Sequence, residues 1–335
     1  MKKLIEQIPS LVASKHQKEQ VARKFGMFIH FGINTFGNVQ WSDGSIDPRV
    51  YKPSKINAEQ WVKTAYDAGM EYVIITAKHH DGFCLWDTDS TTYSVNNSGN
   101  KTDVVFEVYK NCKKYGIKLA IYYSLWDRKE ETYKNDFDNG YIPYMLNHLK
   151  ELLGGRYGEV VEVWFDGAWD KPRSKWRLDL VYDQVKRLQP KCQVGINLTV
   201  GIDDDTACTP PDRYMPLNTQ ENDPLRMYPS DFRLWDPYCC RADDPKIYTY
   251  GGKRYYLPFE MTICSREGSS WFYSNIYEEE KLLDANDVAN KCKLCFNSDN
   301  LAVINMAPNT EGSFVQEDID NLMKVAKILK VYREK

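Results

Sequence analysis

The sequence has no long apolar run, little net charge and few histidines, and each shortage excludes a class of protein. No stretch approaches the roughly 18 consecutive apolar residues of a membrane-spanning helix, so we expect no membrane partner. A net charge of −3 over 335 residues gives no reason to expect nucleic acid or an anionic lipid surface as a partner. Because the chain has only five histidines, their positions are informative.

Cysteine is present but forms neither a zinc motif nor a disulfide framework. The nine cysteines are scattered, and the one CxxC pair, Cys292 and Cys295, lies in a predicted helix with no second pair. This usage is typical of reduced thiols in a reducing compartment. The apolar run near the start is broken by Glu6, Gln7 and Pro9, which argues against a secretory signal. We therefore expect a cytoplasmic protein.

The chain contains no low-complexity linker, and strands alternate with helices along most of its length. The predicted strands are 24–33, 71–80, 118–127, 160–167, 193–200, 255–263 and 301–308. They are almost continuously apolar, which is typical of parallel strands covered on both faces. Seven or eight such strand-helix units in one domain predict an α/β fold, a (β/α)8 barrel of the TIM type. It spans residues 1–335 and carries a long irregular insertion at about 201–254.

The chemistry of such barrels lies at the C-terminal ends of the strands, where the loops converge. Polar and aromatic residues stand at the predicted strand ends. The candidates, with those of the later segments, are His30, His79, His80, Tyr122, Tyr123, Trp126, Trp164, Asp166, Asn197, Arg213, Glu221, Glu260 and Trp271. Three of the five histidines therefore belong to one face of the predicted barrel.

Three interpretations of the histidines at positions 30, 79 and 80 are open. They could bind a metal ion together with Asp166, but adjacent residues of a strand point to opposite sides, so a contiguous pair is poorly suited to one ion. They could serve packing alone. Or neutral imidazoles could form hydrogen bonds with a polyhydroxyl ligand. Aromatic residues are abundant, at 13% of the chain, which suits a pocket that packs rings against a sugar.

Carboxyl groups decide which sugar chemistry is possible, because glycoside hydrolysis normally needs two. Asp166, in VWFDG, follows a buried strand, although an ordinary helix-capping or loop aspartate would also fit there. Glu221 and Glu260 compete for the second position. A carboxyl group in an aromatic pocket has a raised pKa, which suits a general acid.

Four segments, GMFIHFG, TAKHHDGFCLWDT, LAIYYSLWD and VWFDG, resemble glycoside hydrolase family 29, the α-L-fucosidases, in their order and spacing. The similarity covers about residues 25–308. The resemblance implies a retaining enzyme that hydrolyses terminal α-L-fucosyl residues of oligosaccharides or glycoconjugates, with no metal or other cofactor. Two alternatives are a catalytically weak fucose-binding barrel and a metal-dependent barrel hydrolase. Oligomeric state has no signal in the sequence.

The resemblance also implies roles for matching residues. It makes Asp166 the nucleophile, and it makes His30, His79 and His80 ligands of the fucose hydroxyls. Tyr123, the second tyrosine of the YYS motif, is expected to line the sugar pocket.

The downstream matches are looser. The segment PDRYMPLNTQE implies that Arg213 touches the site and that Glu221 is the acid/base. Glu260, in PFEMTI, is implied as a supporting residue and as the alternative acid/base, with Phe259 where the family usually has Trp. Further substrate-binding residues are expected to be the pocket walls Trp41, Trp164 and Trp271. Many family members carry a C-terminal β-sandwich, which we do not expect in this sequence.

Overall fold

The computed structural model describes residues 3–200, 220–236, 239, 241–268 and 270–333. Its strands are β1 (Phe25–Ile29), β2 (Tyr72–Lys78), β3 (Lys118–Ser124), β4 (Val160–Asp166), β5 (Gln193–Asn197), β6 (Phe232–Leu234), β7 (Ile247–Tyr250), β8 (Lys253–Tyr256), β9 (Phe259–Cys264) and β10 (Leu301–Met306). Eight of them form a closed parallel barrel in the order β1-β2-β3-β4-β5-β6-β9-β10, and β10 pairs with β1. The predicted (β/α)8 barrel is confirmed.

Helices follow most of the barrel strands. They are α1 (Lys15–Ala22), α2 (Ile33–Gly37), α3 (Ala58–Asp67), α4 (Val104–Tyr115), α5 (Thr132–Asn135), α6 (Ile142–Leu153), α7 (Leu178–Leu188), α8 (Asn275–Glu279), α9 (Ala285–Asn297) and α10 (Gln316–Leu329). Local sequence sets their ends: Asp103 accepts a hydrogen bond from the Phe106 amide at the start of α4, and Gly116 ends α4 at φ +72°. Among the described residues, no helix has the length and apolar character needed to cross a membrane.

One barrel strand lies inside the segment that the sequence predicts to be an irregular insertion. Strand β6 has only three residues and pairs with β5 on one side and β9 on the other. The adjacent β7 and β8 form a separate antiparallel hairpin. The predicted strand 255–263 therefore covers the end of β8 and all but the last residue of β9, with Pro258 between them. Three residues are too few for a periodic pattern, so β6 has no detectable signal in the sequence.

The barrel interior is filled by side chains that point inward from alternate positions of the strands. Its apolar layer includes Phe28, Ile74, Tyr122, Trp164, Leu234 and Val303. Beyond this layer, towards the C-terminal ends of the strands, the next inward positions of β4 and β10 carry Asp166 and Asn305, and both side chains are buried. The fold therefore places a polar ring above an apolar floor at the C-terminal mouth.

Candidate active site

Asp166 is the last residue of β4, and its carboxyl group is held by donors from the two neighbouring strands. The Tyr122 hydroxyl donates to Oδ2 at 2.8 Å, and the Asn197 amide Nδ2 donates to Oδ1 at 3.0 Å. Nε2 of His80 lies 3.5 Å from Oδ2. The residue is 8% exposed, so the carboxyl group borders the mouth without being open to bulk water. The position suits a fixed carboxylate that meets a ligand from above.

Electrostatics at this carboxyl group favour the protonated form more than usual. Burial, together with the charge of nearby Asp236, raises the pKa of Asp166 to about 7. The hydrogen bonds from Asn197 and Tyr122 act in the opposite direction, because they stabilise the charged form. The group therefore changes charge near neutral pH.

His30 presents a neutral imidazole to the mouth. Its Nδ1 lies 2.7 Å from Oδ1 of Asn305, and the Nδ2 of the same amide donates to the Trp271 carbonyl at 2.8 Å. Because that second bond orients the amide, the His30 Nδ1 carries the proton and Nε2 is a hydrogen-bond acceptor. Burial lowers the pKa of His30 to about 3.

The other two histidines lie against each other. Strand β2 ends at Lys78, so the alternation of a strand no longer separates the rings of His79 and His80, which are 4.2 Å apart. The Asn34 amide Nδ2 lies 3.4 Å from Nδ1 of His79, an arrangement that leaves the proton on Nε2. The Ser124 hydroxyl donates to the Trp126 carbonyl, so it accepts from Nδ1 of His80 at 2.7 Å.

These imidazoles are suited to hydroxyl groups rather than to an ion. Burial, with the charges of His80, His30 and Lys78, lowers the pKa of His79. His30 offers an acceptor nitrogen and His79 a donor, and a sugar hydroxyl can use either. Within the described ranges, no group of three or more His, Cys, Asp or Glu side chains is arranged to hold a metal ion.

Aromatic rings form the walls around the polar ring. The rings of Trp41, Trp126 and Trp169 lie 5.0, 5.2 and 5.5 Å from that of His80. On the opposite side, Trp271 and Phe272 lie 5.1 and 5.3 Å from His30. Trp41 is 38% exposed, so this ring reaches the rim. Such rings offer apolar faces beside the hydrogen-bonding groups.

Two residues predicted as substrate-binding lie deeper or elsewhere. Trp164 is in the floor, 2% exposed, with its ring stacked 5.6 Å from that of Tyr122. Tyr123 lies on the outer face of β3, fully buried, where its hydroxyl pairs with Nδ1 of His148 at 3.0 Å. The structure therefore places Tyr122, and not Tyr123, against Asp166, because successive residues of a strand face opposite sides.

The two glutamates predicted to compete for the acid/base role do not lie beside Asp166. Glu221 is on the surface, with 59% of its side chain exposed, and pairs with Arg254 at 2.9 Å. Glu260 is the second residue of β9, where it accepts a hydrogen bond from Tyr72 at 2.7 Å and contacts Glu162.

Glu162 precedes Asp166 by four residues on β4, which corresponds to about 13 Å along a strand. Glu260 therefore lies near the opposite end of the barrel interior. Arg213 is outside the described residues.

Three further polar groups belong to the site: Tyr122 and Asn197, which stand at the predicted strand ends, and Asp236, which the structure adds. Nδ2 of Asn197 donates to Asp236 as well as to Asp166, so one amide joins two carboxyl groups. The sequence does contain a signal for Asp236, because FRLWD repeats the apolar-Trp-Asp ending of YSLWD; however, β6 is too short to be recognised as a strand. For Tyr122, the signal is that adjacent tyrosines of a strand face opposite sides, so one of the two must point into the barrel.

Comparison with known proteins gives a consistent result. The family model described as alpha-L-fucosidase matches residues 34–334. The chain is 31% identical to alpha-L-fucosidase 1 of Arabidopsis thaliana, over 94% of this chain and 60% of that protein. It is 30% identical to a protein of Oryza sativa subsp. japonica named putative alpha-L-fucosidase 1, over 96% of this chain and 58% of that protein. The chain thus spans about 60% of the length of these relatives.

A solved structure shares the architecture. The crystal structure of a glycoside hydrolase 29 family member from an unknown rumen bacterium superposes with a TM-score of 0.78 at 24% identity, covering 96% of this chain and 58% of that one. At this identity the likeness bears on the fold.

Proposed function

Because the chain belongs to the alpha-L-fucosidase family, glycoside hydrolase family 29, we propose that it is a retaining α-L-fucosidase. Its substrates would be oligosaccharides or glycoconjugates that end in an α-L-fucosyl residue. The observation that carries this proposal is the position of Asp166, a strand-end carboxyl group held by two donors beneath three histidines and between aromatic walls.

In the proposed first step, an oxygen of Asp166 attacks the anomeric carbon and the glycosidic carbon-oxygen bond breaks. The product is a β-fucosyl ester of Asp166, which water then hydrolyses with a second inversion, so the configuration is retained. Tyr122 and Asn197 hold the carboxylate, so attack needs little reorganisation at the nucleophile. The attacking form is the ionised one.

The proposed sugar contacts follow from the site chemistry. His30, His79 and His80 would hold ring hydroxyls, and such contacts accelerate the reaction only to the extent that they tighten in the oxocarbenium-like transition state. The Trp41 and Trp271 walls would receive the apolar face and the C6 methyl group.

An apolar wall at C6 discriminates only moderately against an added hydroxyl, as in an α-L-galactoside. A pocket of this kind rejects such an analogue by about 10²-fold.

A reducing compartment, such as the cytoplasm, is also part of the proposal. Five cysteines of the described ranges are buried free thiols: Cys84, Cys112, Cys192, Cys264 and Cys292. Free buried thiols are the usual state of cysteines where glutathione keeps them reduced.

The test of the nucleophile uses an aryl α-L-fucoside. Asp166→Ala should abolish turnover, and azide should restore it with β-L-fucosyl azide as the product, because azide then attacks from the face that the carboxylate occupied. Asp243→Asn, at a side chain that is 71% exposed, is the matched control and should leave kcat/KM unchanged. Full activity of Asp166→Ala, or an aryl fucoside that the wild-type protein does not cleave, would refute the proposal.

A further inference from the structure

We propose that Asp236 is the acid/base of this site: its carboxyl group protonates the departing glycosidic oxygen and then removes a proton from the attacking water. This inference rests on the proposed fucosidase function. It assigns the second carboxyl group to a residue that lies outside the four segments that resemble the family.

The register of the barrel directs Asp236 towards the nucleophile. Asn197, the last residue of β5, pairs with Leu234, the last residue of β6. Leu234 points into the barrel, and Asp236 follows it by two residues, just beyond the end of β6. The Asp236 amide approaches Oδ1 of Asn197 at 3.4 Å, and Nδ2 of the same side chain donates to the Asp236 carboxyl group.

The separation of the two carboxyl groups fits a retaining mechanism. Oδ1 of Asp166 and Oδ1 of Asp236 both accept from Nδ2 of Asn197. Two oxygens that each lie within hydrogen-bonding distance of one nitrogen cannot be more than about 6 Å apart. Retaining glycosidases place their two carboxyl groups about 5–5.5 Å apart, whereas inverting enzymes need about 6.5–9.5 Å.

The surroundings divide the two roles between the carboxyl groups. Asp166 is buried and Asp236 is partly buried. Two carboxylates this close repel each other, so the pair holds a proton to a higher pH than either carboxyl group would alone. Asp166 accepts hydrogen bonds from both Tyr122 and Asn197, which stabilise its ionised form. The proposal places the retained proton on Asp236, which leaves a nucleophile on one residue and an acid on the other.

Other acids near the mouth are engaged elsewhere. Asp127 forms a buried ion pair with Lys78 at 2.7 Å. Asp81 accepts from the Phe83 amide at 2.7 Å within its own turn. Neither carboxyl group is joined to Asp166 through a shared donor in the way that Asp236 is.

The two steps balance in atoms and charge. In the first, Asp166 forms the ester bond, the glycosidic bond breaks and the Asp236 proton moves to the leaving oxygen, which departs as an alcohol. Esterification removes the charge on Asp166 that disfavours a second carboxylate, so Asp236 is then readily ionised. In the second step Asp236 takes a proton from water, the water oxygen forms a bond to the anomeric carbon, and the ester bond breaks.

The test compares leaving groups in Asp236→Asn and Asp236→Ala. A good leaving group, such as 2-chloro-4-nitrophenolate, needs no proton, so ester formation should be little affected and a burst of phenol should precede slow turnover. A fucosyl disaccharide needs the proton, and its kcat/KM should fall about 10²–10⁴-fold, the usual contribution of general acid catalysis.

The azide product separates this role from that of the nucleophile. In Asp236→Ala, azide should attack the fucosyl-Asp166 ester and yield α-L-fucosyl azide, the opposite anomer to the product expected from Asp166→Ala. If Asp236 had only a structural role, its replacement would not lead to formation of α-L-fucosyl azide.

Three results are decisive. Equal losses on both substrates with no azide product, or no loss at all, would overturn the assignment of Asp236. The leaving-group pattern in Glu221→Gln or Glu260→Gln instead would transfer the role to that residue. A wild-type protein that cleaves neither fucoside would refute the proposed function itself, which is a different outcome from failure of the Asp236 variants alone.

Discussion

At the scale of single residues, two adjacent tyrosines show how side-chain direction decides function. Tyr122 points into the barrel and donates to Asp166, whereas Tyr123 points outward and pairs with His148. Nζ of Lys78 lies 4.6 Å from the centre of the Tyr123 ring, so this side chain belongs to the layer between sheet and helices. The same chemical group therefore contacts the proposed nucleophile in one residue and a buried histidine outside the barrel in the next.

The pair allows a matched experiment. Tyr122→Phe removes a donor to a carboxylate, which is worth about 1.5–3 kcal/mol, and should lower kcat/KM on an aryl fucoside about 10–100-fold. It should also move the acidic limb of the pH profile upward, since the ionised form of Asp166 loses stabilisation. Tyr123→Phe should lower the free energy of unfolding by about 1 kcal/mol and leave kcat nearly unchanged. Equal kinetic effects of the two variants would contradict these roles.

At the scale of elements, the barrel strands also carry buried acidic residues at the end opposite to the candidate site. Glu162 of β4 and Glu260 of β9 are fully buried near the N-terminal ends, next to Tyr72, Gln20 and Arg23. Burial raises the pKa of Glu260 well above its usual range, and the charge of Glu162 adds to the effect. The pKa of Glu162 is also raised by burial, although Arg23 acts against this.

This pair predicts how stability depends on pH. Because the folded-state pKa is raised, the folded protein holds protons that the unfolded chain releases, so stability is fully present below pH 4.5 and declines as pH rises. Glu260→Gln, which replaces the protonated carboxyl group with a neutral amide, should raise the Tm more at pH 8 than at pH 5. Thermal unfolding followed by circular dichroism measures this.

Glu221→Gln is the control for that experiment, since its carboxylate is exposed and pairs with Arg254 at the surface. It should change the Tm little at either pH. Parallel Tm curves for wild type and Glu260→Gln would show that this buried pair does not titrate with unfolding.

At the scale of the whole molecule, closure of the barrel creates the environment of Asp166, the proposed nucleophile. His30 and Asn305, separated by 275 positions in the sequence, form one hydrogen bond at the mouth. Convergence of all eight strand ends removes water from around Asp166, and this burial is the largest cause of its raised pKa. A reactive charge near neutral pH is thus a property of the closed barrel and not of β4 alone.

The pH profile of kcat/KM should report this environment. Below the pKa of about 7, Asp166 becomes neutral and cannot attack, so kcat/KM should fall as pH decreases through that value. Initial rates on an aryl fucoside between pH 5 and 9 test this expectation, and an acidic limb near pH 4 in the wild type would disagree with it.

Much of the architecture can be predicted from local sequence, because the patterns of apolar strand segments and helix caps extend over only a few residues. VVEVWFD predicts a buried strand that ends in a carboxyl group, and KHH predicts imidazoles at the end of β2. The structure places both groups at the mouth. The three-residue β6 lacks such a pattern and derives its position from pairing with β5 and β9. Its contribution to the site, Asp236, is therefore invisible to periodicity.

The barrel class, the candidate nucleophile and the set of histidines could be predicted from the sequence, since they depend on residue type and short-range spacing. Three features became visible only in the folded chain: which tyrosine faces inward, the position of Glu260 near the opposite end of the barrel, and the proximity of Asp236 to Asp166. The physical reason is that these outcomes depend on strand register and barrel closure. Both are set by packing between segments far apart in the chain, and the sequence of one segment does not specify which other segments pack against it.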